Sequence, residues 1–127
     1  MDDKEIEQEL QAKCKTAPRV TLAHIEGCIA AEYYITGDQL PDITTLVIGP
    51  AHRSLLNDDI PTLKRLTLCV LVLKNGFLVT GESACVDADN FDAAEGRKWA
   101  RQSAVGKVWM LEGYLLKQAL AGGIDSL

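Results

Sequence analysis

Histidine, paired cysteine and long apolar segments are scarce in this sequence of 127 residues, and each scarcity excludes a class of protein. The two histidines, His24 and His52, stand apart in the chain, and none of the four cysteines forms a C-x-x-C motif or pairs with a histidine at a spacing typical of zinc sites. The longest apolar run, LTLCVLVL, is too short to span a membrane, and the acidic start MDDKEIEQEL is no signal peptide. We therefore expect no metal site, and a reduced cytoplasmic protein whose cysteines are mostly small core residues.

Positive charge and catalytic motifs are also lacking. The formal net charge of −5 opposes tight, sequence-independent binding to duplex nucleic acid, although a small nucleotide needs only two or three well-placed cations. The phosphate-binding glycine loops, the nucleophile elbow and the metalloprotease helix motif are absent from the sequence. Glu82 and Ser83 could hydrogen-bond ribose hydroxyls, but they form a weak catalytic pair because no histidine lies nearby in the sequence. We expect no catalytic residues, no cofactor and no enzymatic activity.

The first half of the chain predicts two helices and a loop. Residues 2–15 form a weakly amphipathic helical arm, whose acids suit a helix N-terminus. A second helix is predicted over 21–36, with Thr21 as its N-cap and Gly37 at its end, because apolar residues recur at helical spacing: Leu22, Ile25, Ile29 and Tyr33. Residues 37–62, with three of the four prolines, form the central loop.

A β-hairpin is predicted over residues 63–86. The dipeptide Asn75-Gly76 separates two apolar runs and supplies the two positive φ values of a type I′ turn, which would place Val72 opposite Val79. Both faces of this hairpin are apolar, so both are expected to be covered. The chain's own helices can cover one face; the other needs the central loop or a second subunit, and we favour a homo-oligomer.

A long helix follows over residues 90–121. Asp92 and Glu95 resemble a capping box at its start, and one face carries an apolar row: Ala100, Ala104, Val108, Leu111 and Leu115. The chain is thus expected to be one α+β domain over residues 1–127. It would combine an antiparallel sheet, built around the central Asn-Gly hairpin, with N-terminal helices and one long C-terminal helix.

Several side chains near the end of the hairpin and the start of the long helix could bind a ligand. Phe77 and Phe91 could stack on a nucleobase, or simply pack in the core. Ser83 could hydrogen-bond a ribose hydroxyl, and Asn90 stands where a helix cap belongs.

Two arginines nearby in the sequence could provide the cationic part of such a site. Arg97 and Arg101 lie one helical turn apart on the same face and could grip a phosphate or pyrophosphate, or could form ion pairs on a solvated face. Arg53 in the central loop could reach a ligand or a neighbouring subunit, or remain exposed.

These segments resemble a known family. The successive motifs N-G-F, V-T-G-E-S-A-C, N-F-D, G-R-K-x-A-R and L-x-G-Y-L-L, together with the upstream APRVTLAHIEGCIAAEYYI, look like the small phage protein family typified by an early protein of phage N4 and one of phage Sf6. The resemblance covers roughly residues 16–120. The sequence departs from the family pattern at Gly106, where an asparagine is expected, and in an unusual loop over 40–60.

The chain is also similar to the first type of Thoeris anti-defence protein. That resemblance implies a sponge in the host cytoplasm that binds glycocyclic ADP-ribose or cyclic oligonucleotides without cleaving them. It further implies dimers or larger multiples with pockets near the subunit interface. The carried-over roles are base stacking by Phe77 or Phe91, hydrogen bonds from Ser83 and Asn90, and pyrophosphate contacts by Arg97 and Arg101. The alternative is a module that binds a host protein and no nucleotide.

Overall fold

A three-stranded antiparallel sheet and one long helix form the centre of the protein. The computed structural model describes residues 2–13, 18–45 and 59–122. Its elements in chain order are α1 (Asp3–Lys13), α2 (Leu22–Cys28), β1 (Ile29–Thr36), a 3₁₀ turn (Gly37–Gln39), α3 (Leu40–Ile43), α4 (Ile60–Leu63), β2 (Leu66–Leu73), β3 (Leu78–Ala84), a second 3₁₀ turn (Ala88–Asn90) and α5 (Ala93–Leu120). The predicted α+β class, antiparallel sheet and long C-terminal helix are confirmed.

No described helix is both long enough and apolar enough to cross a membrane.

The prediction of a single helix over 21–36 is wrong, because α2 ends at Cys28 and the chain continues as β1. The N-cap itself is confirmed, since Thr21 Oγ1 accepts a hydrogen bond from His24 N at 3.1 Å. β1 is rich in β-branched and aromatic residues and pairs antiparallel with β2, with Tyr34 opposite Cys69. Pairing with β2 therefore makes this segment a strand, although the spacing of its apolar residues also fits a helix.

The hairpin connection is one residue longer than predicted. Leu71, rather than Val72, lies opposite Val79, and the three residues between the paired ends are Lys74, Asn75 and Gly76. Among the described non-glycine residues none has a positive φ, whereas Gly76 has φ +88°, so the type I′ turn is wrong. A three-residue connection with glycine in the left-handed region is the next most common hairpin loop.

This shift of one residue exchanges the faces of β3, because side chains alternate along a strand. The face turned toward α5 carries the buried residues Thr67, Cys69, Leu71, Leu73, Val79 and Gly81. The opposite face, here called the open sheet face, carries Ala31, Tyr33 and Ile35 of β1, Leu66, Leu68, Val70 and Val72 of β2, and Leu78, Thr80, Glu82 and Ala84 of β3.

The ends of the predicted N-terminal arm and central loop fall partly outside the described residues. α1 confirms a helix within 2–15, and its Glu7 carboxylate accepts hydrogen bonds from Arg19 Nη2 at 2.6 Å and Leu22 N at 2.9 Å. These bonds join α1 to the start of α2. The predicted loop 37–62 contains the first 3₁₀ turn, α3 and most of α4, and its residues 46–58 lie outside the described part.

α5 packs closely against β3 at Gly81. A Cβ at Gly81 would overlap the carbonyl oxygen of Ala100 and the backbone nitrogen of Ala104, so only glycine permits this approach. Ala100, Ala104 and Val108 are fully buried, whereas Leu111 and Leu115 are 40% and 44% exposed. A 28-residue helix is about 42 Å long and a seven-residue strand about 23 Å, so α5 extends beyond the sheet.

Gly81→Ala should lower the free energy of unfolding by at least about 2 kcal/mol, because the overlapping atoms belong to the backbone and cannot rotate away. The measurement is urea denaturation followed by circular dichroism. Gly106→Ala is the matched control: this exposed glycine within α5 has open space around it, so alanine should be stabilising by about 0.5–1 kcal/mol. Equal effects of the two substitutions would contradict the close packing at Gly81.

Candidate functional site

A pocket of about 270 Å³ lies where β3 ends and α5 begins. We call it the junction pocket, and it is lined by Arg65, Ser83, Ala84, Cys85, Asn90, Phe91, Asp92, Glu95, Gly96 and Trp99. Three of the six predicted ligand-binding residues, Ser83, Asn90 and Phe91, therefore meet in one place.

Local structure at the start of α5 explains this convergence. Asp92 is the N-cap of α5, and its Oδ1 accepts hydrogen bonds from Ala94 N at 2.9 Å and Glu95 N at 3.1 Å. The preceding 3₁₀ turn is closed by Asn90 N, which donates to Asp87 O at 3.1 Å. These bonds hold the chain in a fixed bend, so that Asn90 and Phe91 face the last residues of β3.

The pocket combines aromatic rings with hydrogen-bonding groups. Phe91 is half-buried, and Trp99 is 54% exposed with Lys98 Nζ at 5.6 Å from the centroid of its ring. Aromatic faces of this kind can stack on a nucleobase, and hydroxyl and amide groups such as those of Ser83 and Asn90 can bond the base edge or a ribose.

Arg65 is a cation of this pocket that was not among the predicted site residues. Its Nη1 donates to Val86 O at 2.5 Å and its Nε donates to Thr62 O at 3.3 Å, which leaves part of its five-donor guanidinium for a ligand. The signal was the strand register: Cys85 N donates to Arg65 O at 3.1 Å, so pairing of the hairpin alone brings Arg65 beside Cys85.

An unsatisfied hydroxyl lies behind the pocket wall. Thr67 Oγ1 is buried and has no hydrogen-bond partner within the described part of the chain. A Cβ at Gly96 would overlap this oxygen and would come within 3.5 Å of the Phe91 ring, so the glycine keeps α5 close to the sheet at the pocket. A buried hydroxyl without a partner is unusual in a folded protein.

Phe77 does not line the junction pocket. It precedes β3, whereas Ser83 lies near the other end of that strand, six residues and about 20 Å away. Phe77 is 55% exposed and lines a separate groove with neighbours that include Thr80, Lys107 and Met110.

The two predicted arginines have different environments. Arg101 donates from Nη2 to Glu26 Oε2 at 2.7 Å and from Nε to Glu32 Oε2 at 3.0 Å, so it joins α5 to α2 and β1. Arg97 is exposed, and within 2–13, 18–45 and 59–122 no hydrogen bond or ion pair involves its guanidinium. Arg53 lies outside the described residues.

These ion pairs change the acidity of the groups involved. Burial favours the protonated form of Glu32, but the hydrogen bonds that it accepts from Tyr34 and Arg101 outweigh this effect and lower its pKa. Hydrogen bonding to Glu26, opposed by burial and supported by Glu32, raises the pKa of Arg101. Burial, and then the hydrogen bond to Glu32, raises the pKa of Tyr34.

Arg101→Ala should lower the free energy of unfolding by about 0.5–1 kcal/mol at neutral pH, because partly exposed ion pairs contribute this much. A lowered carboxyl pKa stabilises the fold above the unfolded value of about 4.3, and this stabilisation is lost as the pH falls through the folded pKa. The difference between wild type and variant should therefore shrink below about pH 4.

Urea denaturation between pH 3 and 8 measures this difference, with Arg97→Ala as the exposed control. A gap between wild type and Arg101→Ala that stays constant in acid would contradict the role assigned to Glu32.

Comparison with known proteins identifies the family. The sequence profile of the phage protein (N4 Gp49/phage Sf6 gene 66) family matches residues 20–120, and the chain belongs to this family. No curated protein and no solved structure matches the chain.

Proposed function

We propose that this member of a phage family sequesters a small nucleotide signal of its host without cleaving it, and that it acts as a homo-oligomer in the host cytoplasm. The proposed ligand is glycocyclic ADP-ribose or a cyclic oligonucleotide. The observation that carries the proposal is the junction pocket, where two aromatic rings, a guanidinium, a hydroxyl and an amide meet in a chain of net charge −5.

The roles follow from the geometry of the pocket. Phe91, with Trp99, would stack on a base, and Ser83 and Asn90 would bond the base or ribose. Arg65, which lines the pocket, would meet a pyrophosphate. The exposed Arg97 is not part of the lining but follows the lining residue Gly96 directly, and we propose it as the second cation.

Arg101 and Phe77, the other two predicted ligand-binding residues, could contact a ligand only under additional conditions. A pyrophosphate at Arg101 would have to displace Glu26 and Glu32, so we assign this arginine mainly to holding α5 in position. The exposed ring of Phe77 would contact a ligand only through the pocket of a second subunit.

The size of the pocket also favours a site shared between subunits. A volume of about 270 Å³ is below the roughly 300–1,000 Å³ of pockets that enclose a drug-sized ligand. One protomer would therefore contact only part of a dinucleotide, and a second copy would enclose the remainder.

The chemistry of the pocket favours binding of a nucleotide without cleavage. Cleavage of a phosphate ester or glycosidic bond would need a general acid and a general base at suitable separation. The lining includes two carboxylates, and Asp92 Oδ1 is engaged in capping α5, which leaves Glu95 as the lining carboxylate without a capping role.

The open sheet face supports self-association. α5 covers only the other face of the sheet, and on the open sheet face Tyr33 and Leu78 are each 61% exposed. Their neighbours across the strands are mostly aliphatic, including Val70 and Val72. An antiparallel sheet normally presents polar residues on a solvated face, so an apolar one is suited to a partner.

Isothermal titration calorimetry with glycocyclic ADP-ribose, and then with cyclic di- and trinucleotides, tests the proposed function. We expect tight binding, with the ligand recovered intact by chromatography. Phe91→Ala should weaken binding by about 1–3 kcal/mol through lost stacking. Arg97→Ala should weaken it by about 1.5–3 kcal/mol through a lost charged hydrogen bond.

Lys117→Ala, in the last turn of α5, is the matched control and should bind as wild type does. Unchanged affinity in both Phe91→Ala and Arg97→Ala would reject the site assignment, whereas absence of binding to every ligand would reject the function itself.

Leu78→Asp should convert the oligomer to monomers, because it places a charge on the open sheet face. Light scattering coupled to size-exclusion chromatography measures the mass. Val86→Asp is the control, since Val86 is 92% exposed and lies just beyond β3. A wild-type protein that is already monomeric at high concentration would overturn the proposed assembly.

A host-protein partner is the alternative, and the C-terminal half of α5 is the surface that favours it. Met110 and Tyr114 are 74% and 72% exposed there, and Leu120 is 58% exposed. An apolar helix face of this kind is suited to a protein partner. Tight, saturable nucleotide binding by the pure protein would count against this alternative.

A further inference from the structure

Three side chains from two distant helices converge away from the junction pocket. His24 Nε2 lies 2.6 Å from Glu112 Oε1, and Cys28 Sγ lies 3.4 Å from Glu112 Oε1 and 3.6 Å from His24 Nε2. One nitrogen, one sulfur and one oxygen donor therefore lie within 4.8 Å of one another. We call them the His-Cys-Glu cluster.

The fold builds this cluster from well-fixed elements. His24 and Cys28 are four residues apart on α2, so both point to the same side of the helix. The Thr21 cap fixes the start of α2, and Lys74 N, which donates to Cys28 O at 2.9 Å, fixes its end against β2. Glu112 comes from the part of α5 that extends beyond the sheet.

The separations match those around a tetrahedral zinc ion. With Zn–S of about 2.3 Å and Zn–N and Zn–O of about 2.0–2.2 Å, tetrahedral ligands lie about 3.6 Å apart for sulfur–nitrogen and about 3.4 Å apart for nitrogen–oxygen. The Cys28–His24 contact already has this length at 3.6 Å, and the Cys28–Glu112 contact, at 3.4 Å, is about 0.2 Å shorter than the tetrahedral sulfur–oxygen separation of about 3.6 Å. The contact between His24 and Glu112, at 2.6 Å, would have to open by less than about 1 Å.

We propose that His24, Cys28 and Glu112 bind one Zn²⁺ ion that joins α2 to α5. Imidazole nitrogen, thiolate and carboxylate are the ligands that zinc uses in proteins, whereas magnesium and calcium prefer oxygen alone. On binding, the Cys28 thiol loses its proton to solvent and the sulfur becomes the ligand. The fourth position is left to water, since His24 and Glu112 also line a groove of about 400 Å³.

The sequence predicts no metal site, because its cysteine and histidine spacings do not match those of zinc fingers. A histidine and a cysteine four residues apart are a ligand pair only if the segment is helical, and the third ligand lies 84 residues further along the chain. The competing explanation is an ion pair between His24 and Glu112 beside an unrelated thiol, and it predicts no affinity for metal ions.

The experiment is titration of the reduced, metal-free protein with Zn²⁺ against a chromophoric chelator, and in parallel with Co²⁺ followed by absorption spectroscopy. We expect one equivalent of Zn²⁺ bound with micromolar or tighter affinity, and a rise in Tm on addition of zinc. With Co²⁺ we expect a thiolate-to-metal charge-transfer band and the intense visible bands of tetrahedral coordination.

Cys28→Ser should abolish the charge-transfer band and lower zinc affinity by at least about tenfold, since loss of even an outer hydrogen-bonding partner has an effect of this size. Glu112→Gln, which keeps the shape of the side chain and a hydrogen bond to His24, should lower the affinity similarly. Cys85→Ser is the matched control, because it removes another partly buried thiol outside the cluster and should leave binding unchanged.

No stoichiometric zinc binding by the wild type would overturn the proposal, as would wild-type affinity in both Cys28→Ser and Glu112→Gln. Should Cys28→Ser fail to fold, Glu112→Gln and the Co²⁺ spectrum of the wild type still decide the matter. The zinc-binding results do not depend on nucleotide binding, because the proposed nucleotide site lies near the other end of α5.

Discussion

The approach of α5 to β3 at Gly81 is the contact on which the rest of the structure depends. Because no side chain separates the strand from Ala100 and Ala104, the helix lies directly on the sheet and its position along β3 is fixed. The start of α5 therefore lies at the end of β3, where it closes the junction pocket. Its other end extends past the sheet, where Glu112 meets α2. One small-residue contact thus positions both candidate sites, which lie near opposite ends of one helix.

Ion pairs hold the helices in that arrangement and determine which cations remain available to bind an anionic ligand. Arg101 binds carboxylates on α2 and β1, and Arg19 binds Glu7 of α1, so two arginines hold helices in place. In an acidic chain such pairing leaves few cations to attract an anion. Arg97 on the surface and Arg65 in the junction pocket are therefore more informative about a ligand than the number of arginines in the sequence.

Local signals predicted local structure well, and the errors arose where pairing between distant segments decides. Thr21 and Asp92 were recognised as helix caps because a cap depends on neighbours within three residues. β1 was not predicted because its apolar residues also fit helical spacing, and only its pairing with β2 makes the segment a strand. The hairpin was expected, yet one extra residue in its turn exchanged the faces of β3. Arg65 was likewise overlooked because its place beside the pocket follows from strand register.

The corrected register changes which residues of β3 share a face with the apolar residues of β1 and β2. In the predicted register Val79 would have lain on the same face as Val72; in the structure it faces α5, and Leu78 takes its place on the open sheet face. Thr80 and Glu82 of β3 also lie on that face, so its apolar part is formed by β1, β2 and Leu78. The junction pocket is too small for a dinucleotide, and Tyr33 and Leu78 expose 61% of their surface on the open sheet face. These are separate observations, and one event, association of two protomers, would account for both. The His-Cys-Glu cluster needs no such partner, because all three of its ligands come from a single protomer.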